Sequence, residues 1–300
     1  KARNSKLGLA LDLSSFFNLM KPRVMSLVIF TCMVGLLIAP VNVDFINACI
    51  SLLAVAIGSG AAGTLNMWYE SDLDALMSRT CLRPIPTGKV KKDQALYFGI
   101  ILSALSVSII YFSANLISAI LLASTIAFYF FVYTIWLKRK TPQNIVIGGA
   151  AGALPPVIGW TIATGNISIE PLILFLIIFL WTPSHFWALS LYKAGDYKVA
   201  KIPMLPIIAG IQKTKLNIFI YSLLMLPVVL APYFFDLASL VYLIISLIMT
   251  TYYVYLCYRL LKEENLKASN VIARKIFIYS IFYLFFIFLV LLFDNLMKLN

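Results

Sequence analysis

Nine runs of predominantly apolar residues constrain this chain more than any other feature, because each is long enough to cross a bilayer. A stretch of about 17–25 such residues spans only as a helix, since every backbone N–H and C=O must be bonded within the segment once water is excluded. The runs lie at 24–39, 45–67, 95–112, 116–136, 144–163, 171–191, 216–235, 238–256 and 275–293. Lys and Arg precede the first run and follow the second, fourth, sixth and eighth; of 24 basic residues only Lys298 falls on the other side. By the positive-inside rule that alternation places the N-terminus in the cytoplasm and the C-terminus outside, and a miscounted helix would scramble it. The net charge of +12 is therefore a topology signal, which argues against a nucleic-acid partner and for the lipid bilayer and its anionic headgroups. With 62% hydrophobic residues and a mean hydropathy of +0.94, a soluble domain is excluded. The chain reads as all-α and polytopic, one integral-membrane domain over 1–300 with a cytoplasmic segment at 1–23. No cleavable signal or Arg- and Ser-rich transit stretch is evident, although a processed one would leave no trace. A cytoplasmic (inner) membrane of bacterial type is the expected location. Cys32, Cys49, Cys81 and Cys257 are scattered, without the spacing of a disulfide framework or a metal site.

The most informative polar interruption closes the second run: Asn66-Met-Trp-Tyr-Glu70-Ser-Asp72-Leu-Asp74, then Arg79-Thr80-Cys-Leu-Arg83-Pro84. Asn66, Glu70 and Asp74 are four apart, and at ~100° per residue each step of four turns only ~40° round a helix. The three side chains thus form one polar stripe, while Asp72, ~200° from Glu70, is expected to point elsewhere. One reading of such a patch is a solvated helix end. The other is a site for an anion or a metal-bound diphosphate, with hard oxygens for magnesium and guanidinium forks from Arg79 and Arg83 for phosphate oxygens. Carboxylates at membrane depth are costly and mark function, which weighs toward the second reading.

A second constellation closes the sixth run, Trp181-Thr-Pro183-Ser-His185-Phe-Trp187, and its loop continues through Tyr192-Lys193 and Asp196-Tyr197-Lys198. Asp196 is either a loop acid paired with Lys193 or Lys198, or a further ligand if the sixth span packs beside the second. His185 is the only histidine, so any step that needs imidazole must use it; a hydrogen-bonded core role is the alternative. Lys138-Arg139-Lys140 and Gln143-Asn144 bridge the fourth and fifth runs, and Asn144 is a candidate site-lining residue. Runs of small residues at 58–64 and 148–153 serve close helix packing, or leave a groove for a long apolar ligand, or both. No Ser-His-Asp, Cys-His or phosphate-loop pattern is available, which removes nucleophilic and P-loop chemistry.

Taken in order, these segments resemble the protoheme IX farnesyltransferases (haem O synthases) of the UbiA-type membrane prenyltransferases. The resemblance runs from Lys21-Pro22-Arg23-Val24 through Asn66…Arg83-Pro84 and Lys138…Asn144 to Trp181…His185-Phe-Trp187. It continues with Asp196-Tyr197…Ile202-Pro203-Met204-Leu205-Pro206 and Ala273-Arg274-Lys275…Tyr279-Ser280, and so covers nearly the whole chain. The acidic motif is common to the wider superfamily; the two later motifs are specific to the haem branch. The resemblance implies nine helices around a central cavity open to the cytoplasm. It implies transfer of a farnesyl group from farnesyl diphosphate to a vinyl group of haem B, giving haem O with a hydroxyethylfarnesyl side chain and releasing diphosphate. Magnesium is the implied cofactor, held by Asn66, Glu70, Asp74 and Asp196, with Arg79, Arg83 and Lys138 on the diphosphate. Asn144, His185, Trp187, Tyr192 and Lys193 are the further implied substrate-binding residues, and a downstream haem A-forming enzyme is a further candidate partner. Where other superfamily members carry several aspartates in the second motif, this chain keeps one, Asp196, so the number of magnesium ions stays open. A transferase for a quinone precursor or other aromatic acceptor is the nearest alternative, and the second motif disfavours it. An ion-coupled transporter is disfavoured because the acids cluster with bases at helix ends, not in broken helices at mid-membrane.

Overall fold

A computed structural model describes residues 13–298, so Lys1, Arg3, Lys6 and most of the expected 1–23 segment lie outside the described residues. Among the described residues every regular element is helical. The first half comprises α1 (Leu13–Leu19), α2 (Pro22–Leu37), α3 (Phe45–Tyr69), α4 (Ser71–Leu76), α5 (Lys92–Ser113), α6 (Leu116–Ala127) and α7 (Asn144–Ala153). The second comprises α8 (Pro155–Thr164), α9 (Ile169–Tyr192), α10 (Ala194–Val199), α11 (Leu205–Ile208), α12 (Ile211–Phe234), α13 (Leu240–Lys262) and α14 (Leu266–Lys298). α6 runs on as a π-helical segment, Phe128–Leu137. Counting α6 with that segment and α7 with α8, eight helices are long and apolar enough to cross a membrane, and a ninth if α1 and α2 form one bent span.

That bend lies ahead of the first run, which α2 carries unbroken to Leu37; α1 falls within the 1–23 segment expected to precede the first span. Lys21 adopts a left-handed conformation (φ 56°, ψ 58°) and Pro22 restarts the helix at its first position, so α1 and α2 meet at 55°. The other helices reach beyond the predicted runs mainly at their basic ends. Lys92, Lys213, Lys215, Lys262, Lys267 and Arg274 extend them, as expected of long side chains whose alkyl stems stay along the helix while the charge reaches water.

Because lipid is as apolar as a leucine side chain, helix association here depends on close packing and on hydrogen bonds between helices. α2 and α8 approach to backbone contact: a Cβ on Gly159 would stand 1.9 Å from the Cys32 carbonyl oxygen, and one on Gly35 2.1 Å from that of Pro156. Asn115 Nδ2 donates to the Thr161 carbonyl at 2.7 Å, tying the α6 start to α8. On the other flank α9 packs on α7, α12 and α14, with Trp187, Tyr242, Tyr253, Tyr283 and Phe288 fully enclosed. Hydrogen bonds at 2.8 Å join Ser184 to Tyr253 and Thr250 to Tyr283, so the buried phenols of this half are satisfied.

The small-residue run on α3 is largely taken up by packing. A Cβ on Gly60 would meet Met20 at 2.5 Å, and Gly63 lies against Lys21, so these glycines seat the α1–α2 elbow. Gly148 is covered by the Tyr133 ring and Gly149 by Thr182, whereas Gly152 faces open space.

Candidate functional site

The acidic stripe forms although the helix carrying it is interrupted. α3 ends at Tyr69 and Glu70 leaves helical geometry (φ −93°, ψ 11°), yet Glu70 N–H still donates to the Asn66 carbonyl (2.9 Å) and Asp74 N–H to that of Glu70 (2.8 Å). The four-residue spacing therefore survives the junction, and Asn66, Glu70 and Asp74 are all at most 3% exposed. Asp72 points outward, as its angle requires, and forms a two-point pair with Arg139 at 2.8 and 3.1 Å. Partial burial, the largest single influence, would raise the Asp72 carboxyl, but the Arg139 hydrogen bonds, backbone N–H donors and the Arg139 charge together hold the group below its ordinary value. Thr80, buried behind α4, donates to the Asp74 carbonyl at 3.0 Å and folds the loop back. That return lets Arg83 Nη1 reach both Asp74 oxygens at 2.8 Å. Lys138, at the end of the π-helical segment, meets Glu70 at 2.5 Å. Lys21, delivered by the elbow, donates to Asn66 Oδ1 at 2.5 Å. Two carboxylates thus face Arg83, Lys138 and the buried amine of Lys21 in one pocket of the fold, a set of donors that suits an anion. Arg79 is exposed at the rim, where it lines a cavity of about 290 Å³ with Ser15, Asn18, Arg83 and Lys89.

The second constellation is spread over more than one place. α9 makes no substantial contact with α3, but Asp196 on α10 accepts a 2.8 Å hydrogen bond from Ser78, just after α4, and so lies against the same loop. His185 is buried between the rings of Trp181 (4.2 Å) and Phe277 (4.6 Å), with Nδ1 2.6 Å from Ser280 Oγ. Ser280 Oγ also lies 2.7 Å from the Phe277 carbonyl, to which it can donate while bonded to the imidazole. Trp187 does not line an opening: it is 2% exposed in the α9–α12 contact, edge-on to Tyr221, and its indole N–H has no partner. Tyr192 is half-buried against Phe277, and Lys193 caps the end of α9. Asn144 is buried at the start of α7, donating to the Thr141 carbonyl at 2.6 Å, with its Oδ1 unpartnered.

A family profile matches residues 28–293, and it is that of the UbiA prenyltransferase family. The chain belongs to this family. Among its relatives, the protoheme IX farnesyltransferase of Pelagibacter ubique is 63% identical over 99% of this chain and 98% of that protein. A solved structure described as digeranylgeranylglyceryl phosphate synthase matches with a TM-score of 0.79 at 20% identity, covering 95% of this chain and 99% of that one. The UbiA homologue of Archaeoglobus fulgidus, solved with GPP and Mg2+, matches with a TM-score of 0.65 at 18% identity over 92% and 99%. At those identities the two structures establish the UbiA fold.

In this UbiA prenyltransferase the donor set fits magnesium. The oxygens are hard, and Glu70 Oε1 is buried without a partner. Among the described residues no three Asp, Glu, His or Cys side chains stand close enough to cage a metal by themselves. That is the usual arrangement for magnesium, which takes one or two carboxylates and completes its shell with phosphate oxygens and water. Two residues of this cluster carry no signal of their own in the sequence. Lys21 stands out only as part of the Lys21-Pro22-Arg23-Val24 segment, and Thr134, which accepts from Asn66 Nδ2 at 3.1 Å, lies in an apolar run. Each is more than forty residues from Asn66 and reaches it only through tertiary packing.

Proposed function

We propose that this chain is a protoheme IX farnesyltransferase, transferring the farnesyl group of farnesyl diphosphate to a vinyl group of haem B and giving haem O. The observation that carries the reading is the buried Asn66–Glu70–Asp74 row facing Lys21, Arg83 and Lys138, in a chain 63% identical to a relative of that activity. Breaking the allylic C–O bond moves negative charge onto the diphosphate. Arg83 and Lys138, with Arg79 at the rim, are already oriented cations that stabilise this charge more in the transition state than in the bound substrate. Magnesium, when bound by Asn66, Glu70 and Asp74 with Asp196 adjacent, neutralises the diphosphate and makes it a better leaving group. The vinyl carbon then forms the new C–C bond, water adds at the carbon next to the porphyrin ring, one proton is released and diphosphate departs. His185 is the contact assigned to haem, with Asn144, Tyr192 and Lys193 as further substrate contacts. Trp187 supports the α9 wall from behind.

The whole chain acts as one unit in a bacterial cytoplasmic membrane, N-terminus inside, with the acidic row at the cytoplasmic surface. The charge pattern supports this orientation: Lys21, Arg83, Lys138 and Lys198 all belong to the ends that gather around the row. The test is incubation of the protein in lipid nanodiscs with farnesyl diphosphate, magnesium and either haem B or an aromatic acid, read by mass spectrometry. Haem O as the product supports the assignment; a prenylated aromatic acid with unchanged haem would overturn it.

A further inference from the structure

A π-helix of ten residues is rare, since such turns normally occur as single bulges and concentrate at functional sites. Here the segment Phe128–Leu137 ends on Lys138, the Glu70 partner, and presents Thr134 toward α3 one turn earlier. Thr134 is fully buried, and its hydroxyl proton is committed to the Tyr129 carbonyl five residues back, at 2.8 Å. Its oxygen is therefore available only as an acceptor, and it accepts from Asn66 Nδ2 at 3.1 Å. On the other side of the same amide, Lys21 Nζ donates to Asn66 Oδ1 at 2.5 Å. The two neighbours demand the same orientation: nitrogen toward the π-helical segment, oxygen toward the elbow and the carboxylate side. A flipped amide would set Oδ1 against an oxygen whose proton is already committed and leave Lys21 Nζ without its acceptor, in a site 2% exposed.

We propose that Thr134 is a positioning residue that fixes the amide of Asn66 with its oxygen presented as a metal ligand. The π-helical segment supplies the geometry: its i→i−5 spacing puts the Tyr129 carbonyl within reach of the Thr134 hydroxyl, so the proton is withdrawn from Asn66. The inference rests on the reading of Asn66 as an oxygen donor to magnesium. Groups that orient a ligand from behind typically alter metal affinity by 10- to 100-fold when removed.

The experiment uses the full chain in nanodiscs with a non-reacting thio analogue of farnesyl diphosphate, and Mn2+ as the probe, its bound fraction read by electron paramagnetic resonance. Thr134→Val keeps the volume and removes the hydroxyl; it is expected to weaken Mn2+ binding on the order of tenfold or more. Thr134→Ser is expected to restore it. Binding of the analogue without metal, read by calorimetry, is expected to change by less than about twofold in Thr134→Val, whereas general loosening of the site would weaken it as well. Wild-type Mn2+ affinity in Thr134→Val, with Asn66→Ala clearly weakened, overturns the role of Thr134 and leaves Asn66 as a ligand. Wild-type affinity in Asn66→Ala overturns the parent reading itself. Should Thr134→Val fail to fold, Thr134→Ala takes its place and Asn66→Asp decides: the carboxylate needs no orientation, so adding Thr134→Ala to it should have no further effect on Mn2+ affinity, and a further loss refutes the proposal.

Discussion

Asp72 and Asp74 are two residues apart and chemically identical, and the structure predicts that neutralising them has opposite weight. Asp74 is buried, with a side chain 5% exposed, and both its oxygens receive Arg83 Nη1 at 2.8 Å. Removing one partner of a fully buried pair costs about 3–5 kcal/mol, because the other charge is left uncompensated. Arg83 is 21% exposed, so water recovers part of that, and about 2–3 kcal/mol of stability is expected to be lost in Asp74→Asn. The catalytic loss is larger in effect. Removing one preorganised charge from a site of this kind costs roughly 3–4 kcal/mol in the transition state, or about 10²–10³ in turnover. In Asp72→Asn the pair is broken at the surface, where Asp72 is 58% and Arg139 36% exposed, and such pairs contribute only about 0–1 kcal/mol. Turnover is expected to change less than about threefold, and melting by about a degree or two for a protein of this size. The assay is haem O formed per minute in nanodiscs at saturating magnesium, with thermal melting of each variant. Equal losses in the two variants, or near-normal turnover in Asp74→Asn, would refute the assignment of the buried row as the reacting site.

Gly159→Ala places a methyl 1.9 Å from the Cys32 carbonyl oxygen, where the obstacle is backbone and cannot rotate away, so a loss of about 3 kcal/mol is expected. Gly152→Ala, facing open space, should be neutral or stabilising by up to ~1 kcal/mol; comparable melting shifts in detergent for the two would count against the α2–α8 contact. His185→Gln is expected to weaken haem binding and shift the Soret band while leaving diphosphate binding unchanged, and an unaltered haem spectrum with wild-type turnover would remove His185 from the site. In a cysteine-free background, a membrane-impermeant thiol reagent should label Asn166→Cys and not Lys198→Cys in intact cells; the reverse pattern would invert the topology.

The membrane architecture was legible in the chain because the bilayer imposes rules that act along the sequence. A span must be long, apolar and internally hydrogen-bonded, and its flanking lysines and arginines sort by side. The acidic row was legible for a similar reason, since the i→i+4 relation among Asn66, Glu70 and Asp74 persists even where α3 gives way to α4. Local periodicity also separated Asp72 from its neighbours. What it did not contain is which face of each helix meets which partner. Trp187 shares the polar end of α9 with His185, yet it turns into the α12 contact while His185 meets α14. The glycines of α3 looked equally suited to a groove, and only the elbow of α1 and α2 decides that Met20 and Lys21 occupy the space. Lys21, Thr134 and Lys138 come from segments 45 to 68 residues away from the row they complete. No local propensity encodes that convergence: it follows from a left-handed residue before Pro22 and a π-helical segment before Lys138, and each acts by aiming a side chain across the bundle.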